Sequence, residues 1–243
     1  MGKKVISTYH PGALRQDEVD YWARQVILFD LKRALKQSLF PEIILPSRSL
    51  SVCQNSSQLY DFIQRHKSHV HPAVDIEAHP NGSCIPICIG VAFDKYEGLT
   101  IPLWNSDDIS NIPDEDLVQI WILLAKLLGF NDIVGQNFKY DQDKIRRFGF
   151  SIKKLHSDTM LKAFTINPEL PKNLAFNTSI YTEEPFYKNE GMYEGEIKDL
   201  LTGCARDACV TKEIDDAMNP DIDELGLRKF YDNFIMKLHI LYS

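Results

Sequence analysis

The sequence predicts an α/β domain with a mixed sheet, three antiparallel strands plus parallel strands, flanked by helices, and an appendage of different character before it. Two observations carry this. From residue 73 onward, three strand-like runs follow one another: Ala73 to Ala78, Ile85 to Phe93 and Leu99 to Trp104. Turn signals at Pro80-Asn81-Gly82 and Glu97-Gly98 separate them, which is the pattern of an antiparallel meander. After that the period changes to helix, short strand and helices, the order of an α/β sheet with crossovers.

The elements follow in order. Asp114, Glu115 and Asp116 form an acidic helix start, and the apolar run Leu117 to Leu128 continues it until Gly129. Asp132 to Gln136 reads as a short buried strand, and about Asp141 to Phe148 as a helix stopped at Gly149. Ser157-Asp158-Thr159 opens a further helix reaching Asn167-Pro168, with Asp158 read as its cap rather than as a ligand. Asn177 to Tyr193 lacks periodicity and is expected to be a loop. A long helix from Glu196 to about Met218 should break at Asn219-Pro220. A last amphipathic helix from Glu224 presents Leu227, Phe230, Phe234, Leu238 and Leu241. Three strands, helix, strand, helices is the order of a ribonuclease-H-like sheet.

The chain has 243 residues, 44% of them hydrophobic and 25% charged, which is ordinary for a globular protein. No apolar run approaches the roughly 20 residues that span a bilayer. The amino terminus has no apolar signal-peptide core, so cytoplasmic residence is expected. Five cysteines, odd in number and without a Cys-x-x-Cys pair, argue against a disulfide framework or a zinc site, and for small, mostly buried thiols. A formal charge of −7 argues against a broad polyanion-binding surface. It still permits a nucleic-acid enzyme whose acidic metal site is offset by bound cations. Lys139, Lys144, Arg146, Arg147, Lys153 and Lys154 form a locally basic stretch, either a solvated face or a set of phosphate contacts.

Residues 1–70 read as an N-terminal appendage: a strand from Val5, a helical pattern from Tyr21 to Leu35, a linker from Pro41 to Arg48, and a short helix from Ser56 to His66. The run His10-Pro11-Gly12-Ala13-Leu14-Arg15, with Trp22 and Phe29-Asp30-Leu31-Lys32, resembles the carboxy-terminal end of a uracil-DNA glycosylase. The water-activating motif and base pocket of such an enzyme have no counterpart upstream of His10. This stretch therefore reads as a remnant or a neighbouring module's tail.

Three acidic signals stand out in residues 71–220. In an extended Ala73-Val74-Asp75-Ile76-Glu77-Ala78, Asp75 and Glu77 leave the same face. Two carboxylates held that close repel unless a cation lies between them, and hard divalent ions take oxygen ligands. Gly135-Gln136-Asn137-Phe138-Lys139-Tyr140-Asp141 runs from a buried strand into a helix start, placing Asn137, Tyr140 and Asp141 near one sheet edge. In Cys204-Ala205-Arg206-Asp207-Ala208-Cys209-Val210-Thr211, helical spacing turns Asp207 toward small and apolar neighbours. Taken singly, these are a solvated pair, a helix cap and an exposed acid beside Arg206.

Together, Asp-x-Glu, Asn-x-x-x-Asp and Ala-Arg-Asp-Ala resemble the DEDD 3′–5′ exonucleases. The words around them, with Ser157-Asp158-Thr159-Met160-Leu161 and Thr178 to Lys188, resemble the proofreading domain of family A DNA polymerases, phage-type members in particular. The resemblance covers about residues 70–243. It implies a two-metal exonuclease acting on single-stranded DNA 3′ ends, with Asp75, Glu77, Asp141 and Asp207 as catalytic metal ligands for two Mg2+ or Mn2+ ions. It implies substrate contacts at Asn137 and Tyr140, with Phe138 either core or stacking platform. Residues 221–243 would form the helix leading into a polymerase domain, so the chain reads as an excised module or one product of a split gene. One position departs. The tyrosine branch of this family orients the attacking water with a Tyr four residues before the last Asp, and Gly203 stands there. The histidine branch would want His where Thr202 stands. A natural loss, an engineered substitution and a replacement by Tyr187 or Tyr193 all fit this departure; the readings are an attenuated exonuclease, a silent DNA-binding or polymerase-scaffolding module, and an exoribonuclease of the same fold.

Overall fold

The structure is a computed structural model that describes residues 4–12, 21–42, 44–78, 85–105, 109, 111–185 and 197–241. The expected turn at Pro80-Asn81-Gly82, Cys84, and the candidate tyrosines Tyr187 and Tyr193 lie outside them. No described helix is long and apolar enough to cross a membrane.

The elements are α1 (Tyr21–Gln37), β1 (Ser49–Val52), α2 (Ser56–Arg65), β2 (Ala73–Ala78), β3 (Pro86–Ala92), β4 (Glu97–Pro102), α3 (Asp114–Phe130), β5 (Asp132–Gly135) and α4 (Phe138–Arg147). There follow β6 (Lys154–Asp158), α5 (Thr159–Ile166), α6 (Leu174–Tyr181), α7 (Ile197–Glu224), α8 (Arg228–Phe230), a π-helical turn (Tyr231–Ile235) and α9 (Met236–Leu241). The sheet runs β1-β4-β3-β2-β5-β6. The β2-β3-β4 meander is antiparallel, while β5 pairs parallel with β2 and β6 parallel with β5. This is the mixed ribonuclease-H-like sheet that the element order predicts. The main core joins Val74, Ile76, Ile89, Val91 and Ile101 of the meander to Ile120 and Leu124 of α3 and to Val210 and Ile214 of α7.

Several elements differ from expectation, each for a physical reason. Ser49–Val52, in the stretch assigned to the appendage, is an edge strand parallel to β4. Its Ser-Leu-Ser-Val sequence is too short and polar to announce a strand. Cys53, Leu59 and Phe62 then join the main core, so residues 49–65 are built into the sheet and its flanking layer. Arg48 anchors this entry: its guanidinium pairs with Glu184 at 2.7 Å and with Glu213 of α7 at 2.5 Å. Burial works against its charge, but the two glutamates outweigh it and raise its pKa. β6 was hidden in the helix-opening reading of Ser157-Asp158. α6 falls where a loop was expected, because its buried positions include the polar Asn177 and Thr178. Thr178 bonds back to the Leu174 carbonyl at 2.7 Å, and so leaves no hydrophobic period to read.

α7 also runs through Pro220 instead of stopping. An interior proline costs about 3 kcal/mol. Met218 and Ile222 on either side are fully buried, and each contributes about 1.5–3 kcal/mol, enough to offset it. After α7 the π-helical turn shifts the phase of the final segment. Tyr231 and Met236 enter the core, while Phe230 and Phe234 are exposed and stack on each other, contrary to the expected apolar stripe.

A buried ion pair ties α5 to α7. Lys162 donates to Asp215, and Ser157 donates to the same carboxylate at 2.6 Å. The two partners shift the same way for different reasons. Burial lowers the Lys162 pKa despite the pull of Asp215. Burial would raise the Asp215 pKa, but Lys162 and Ser157 outweigh it and hold the carboxyl below its ordinary range. The stability contributed by the depressed Asp215 is thus present above its unfolded value near 3.9 and lost as pH falls through the native one. Lys162→Met leaves a buried carboxylate without its cation and should cost about 3–5 kcal/mol at pH 7 in urea unfolding. That deficit should shrink toward pH 4 as Asp215 protonates; a deficit independent of pH would contradict the ion-pair account.

Candidate active site

β2 is extended, so its side chains alternate. Val74 and Ile76 are buried in the main core, and Asp75 and Glu77 leave the other face, half-buried. Their cross-strand partners on β3 are Gly90 and Cys88. Small residues at these positions leave room for α7. A Cβ at Gly90 would fall inside contact distance of the Cys204 carbonyl oxygen, and one at Gly98 would lie 2.5 Å from that of Ala205. The helix thus lies backbone-close on the sheet, with Cys204 and Ala208 fully buried. Thr100 on β4 donates to the Leu201 carbonyl at 2.6 Å, and the Cys204 thiol lies 3.8 Å from the Asp75 carbonyl. This seating fixes Asp207, one turn after Cys204, against β2.

The result is a cluster of three carboxylates. Asp75, Glu77 and Asp207 each offer an oxygen, and these oxygens lie within 4.8 Å of one another. Asp207 is only 1% exposed. Three acids at this separation form a hard, all-oxygen donor set of the kind that takes Mg2+ or Mn2+. The donor set fits a divalent ion.

Asp141 stands outside this triplet. It is buried in the first turn of α4. Burial raises its carboxyl well above the usual range, Lys144 pulls it back, and the negative charges of Asp158 and Glu77 push it further up. The Glu77 effect places Asp141 within electrostatic reach of the cluster. Lys144, in the locally basic stretch, is not on a solvated face: it is buried, with its ammonium 2.7 Å from the centroid of the Tyr140 ring. Its spacing three residues after Asp141 was the available signal. The rest of the basic stretch is divided: Arg147 pairs with Asp143 at 2.9 Å and Lys153 with Asp132 at 2.9 Å.

Asp158 sets the position of α4. Its carboxylate accepts from the backbone N–H groups of Asn137 at 3.1 Å and Phe138 at 2.8 Å, and caps its own helix through Met160 at 2.9 Å. The cap reading of Asp158 holds, and it serves two helices. Tyr231 supports it from the far end of the chain, its hydroxyl accepting from the Asp158 N–H at 2.9 Å. Asn137 takes a left-handed conformation (φ 53°, ψ 42°), which asparagine tolerates better than most residues. Asn137 and Tyr140 are exposed at the start of α4. Phe138 is fully buried with its ring over Gly135, so it is core and not a stacking platform. Gly203 is buried on α7, one turn before Asp207.

No family model matches the sequence, and no curated protein sequence matches it significantly. Solved structures do. The catalytic core of RRP6 from Trypanosoma brucei superposes with a TM-score of 0.60 at 12% identity, over 84% of this chain and 56% of that one. Escherichia coli RNase D, an exoribonuclease involved in structured RNA processing, gives 0.59 at 10% identity, over 79% and 50%. The POL domain of Pol1 from M. smegmatis, in complex with DNA primer-template and dNTP, gives 0.56 at 14% identity, over 75% and 29%. The chain thus spans from under a third to just over half of these proteins. At such identities the likeness is one of fold.

If the triplet is held together against its own repulsion, neutralising one member should stabilise the metal-free protein. Asp207→Asn should raise its melting temperature by about 2–4 °C, for roughly 1 kcal/mol. The same variant should lose the rise that Mg2+ gives the unaltered chain in differential scanning calorimetry. An undiminished Mg2+ response would show that ions bind elsewhere.

Proposed function

We propose that the protein is a metal-dependent 3′–5′ exonuclease acting on DNA ends, of proofreading type and attenuated. The observation that carries this is the convergence of Asp75, Glu77 and Asp207, from a strand and a helix far apart in sequence, on one small volume. The motifs around them support the family A polymerase reading, and the fold-level likeness to Pol1, RNase D and RRP6 supports a nuclease.

In this reading Asp75, Glu77 and Asp207 would hold one divalent ion, and Asp141 would help to hold a second. When bound, such ions shield the phosphate charge and stabilise both the entering and the leaving oxygen. Water adds to the phosphorus of the terminal nucleotide as the bond to the 3′ oxygen of its neighbour breaks. The products are a nucleoside 5′-monophosphate and a shortened strand with a free 3′ hydroxyl. Asn137 and Tyr140, exposed at the start of α4, contact the terminal nucleotides, and unpaired bases suit such a surface. Burial raises the Asp141 carboxyl, and a nearby cation would favour its charged form.

With Gly203 in place of the phenol that orients the attacking water in the tyrosine branch, the rate should sit about one to three decades below that of an intact site. The same residue favours a second reading, a silent module that binds single-stranded DNA or supports a polymerase domain in trans. None of the four proposed metal ligands lies in residues 1–40, and uracil release is not expected.

The test is a 5′-labelled single-stranded DNA oligomer, and an RNA of the same sequence, with Mg2+ or Mn2+. A ladder shortened from the 3′ end should appear, vanish in Asp75→Ala and grow faster in Gly203→Tyr. Gly203→Ala, which gains only about 1 kcal/mol of helix propensity, serves as the control for folding. No ladder from any protein, with the oligomer still bound, would favour the silent module; a ladder on RNA alone would move the substrate class to RNA.

A further inference from the structure

A second cluster of ligand-type side chains lies where α2 ends and the β3–β4 turn begins. We propose that His66, His69 and Asp94 form a transition-metal site of zinc class, separate from the carboxylate triplet. Their donor atoms lie within 4.8 Å of one another. Asp94 follows the strand end at which Ala92 pairs with Ala73. Glu77 is four residues further along β2, about 13 Å at the rise of a strand.

The side chains meet at ion-pair distance when the histidines are protonated, and with neutral rings their arrangement is that of a ligand set. His66 is 6% exposed, and its Nε2 lies 2.9 Å from Glu97 Oε2. Donation from Nε2–H to this carboxylate fixes the tautomer and leaves Nδ1 with a lone pair. That Nδ1 is buried and has no hydrogen-bond partner. It lies 3.7 Å from Asp94 Oδ2, and His69 Nε2 lies 3.9 Å from the same oxygen. Asp94 Oδ1 is already committed to the backbone N–H groups of Tyr96 at 2.7 Å and Glu97 at 3.0 Å, so Oδ2 is the oxygen left for the two histidines. These gaps are too long for hydrogen bonds. They come within a few tenths of an ångström of the roughly 3.4 Å between two ligands of one tetrahedral zinc with bonds of about 2.0–2.1 Å. The imidazole planes cross at 62°, which lets their lone pairs converge. A carboxylate behind a ligating histidine, as Glu97 stands behind His66, is the usual outer support of such a site.

The third cluster, His71, Asp132 and His156, lacks these features. Its two rings are parallel within 2° at 3.6 Å, so no ion can lie in both ring planes, and Asp132 is paired with Lys153 at 2.9 Å. With two histidines and one aspartate, the proposed site leaves one position for water, and a bound ion would pin the end of α2 to the β3–β4 turn.

The experiment titrates zinc chloride into the full chain by calorimetry, with millimolar Mg2+ present to occupy the carboxylate triplet. One zinc per chain is expected, with a melting temperature raised by about 5–10 °C at a hundredfold excess over Kd. Cobalt chloride in place of zinc should give the visible bands of a four-coordinate ion. His69→Gln, at an exposed position that leaves the fold intact, should weaken zinc binding by about 100-fold or more, and Glu97→Gln by about 10-fold. Asp75→Asn should leave it unchanged. Absence of zinc binding, or binding that survives His69→Gln but is lost in Asp75→Asn, would overturn the proposal without touching the exonuclease reading.

Discussion

The close seating of α7 on the meander is the constraint on which the rest of the site depends. A helix normally packs on a sheet through side chains that hold the two backbones apart. Here Gly90 and Gly98 on the sheet face Cys204, Ala205 and Cys209 on the helix, and backbone nearly meets backbone. Only this approach brings Asp207, with its short side chain, to the same volume as Asp75 and Glu77. A larger residue at either glycine would lift the helix and separate the carboxylates, whatever it did for strand propensity. The stability that such a substitution could gain is set against a geometry that tolerates no displacement.

Three carboxylates at one place repel one another unless a cation lies between them, so the elements that carry them need firm support. The chain Lys162–Asp215–Ser157–Tyr231–Asp158 joins α5, α7, β6 and the carboxy-terminal segment to the start of α4. Each buried polar group in it has a partner, which is what lets it orient α4 without an unpaired charge. Asp158 is the junction, since it holds the N–H groups that begin α4 and those that begin α5. The final segment, which by sequence alone looked like a connection to a further domain, therefore also supports the candidate site.

Much of this was legible in the chain. The alternation in β2 places Asp75 and Glu77 on one face. The spacing in α7 turns Asp207 inward, and the capping pattern identifies Asp158. All three are local properties, set by strand period, helix period and side-chain hydrogen bonding within a few residues. The misreadings are of another kind. β1 is a short polar strand that forms because β4 offers it an edge. α6 hides its buried face behind Asn177 and Thr178. α7 continues through Pro220 because Met218 and Ile222 are buried on both sides of it. In each case a long-range contact outweighed a local preference of a few kcal/mol.

The amino-acid sequence by itself determined the order of the elements, the mixed sheet, and the identity and facing of the carboxylates. The tertiary structure alone decided which of them meet. It drew Asp75, Glu77 and Asp207 together and left Asp141 outside the triplet, within reach of the Glu77 charge. It also turned Lys144 inward, made Phe138 core, and gathered His66, His69 and Asp94 across a separation of 25 or more residues. The physical reason is that periodicity fixes which way a side chain points from its own element. The distance between two elements is fixed only when their surfaces are packed, and here two glycines set it.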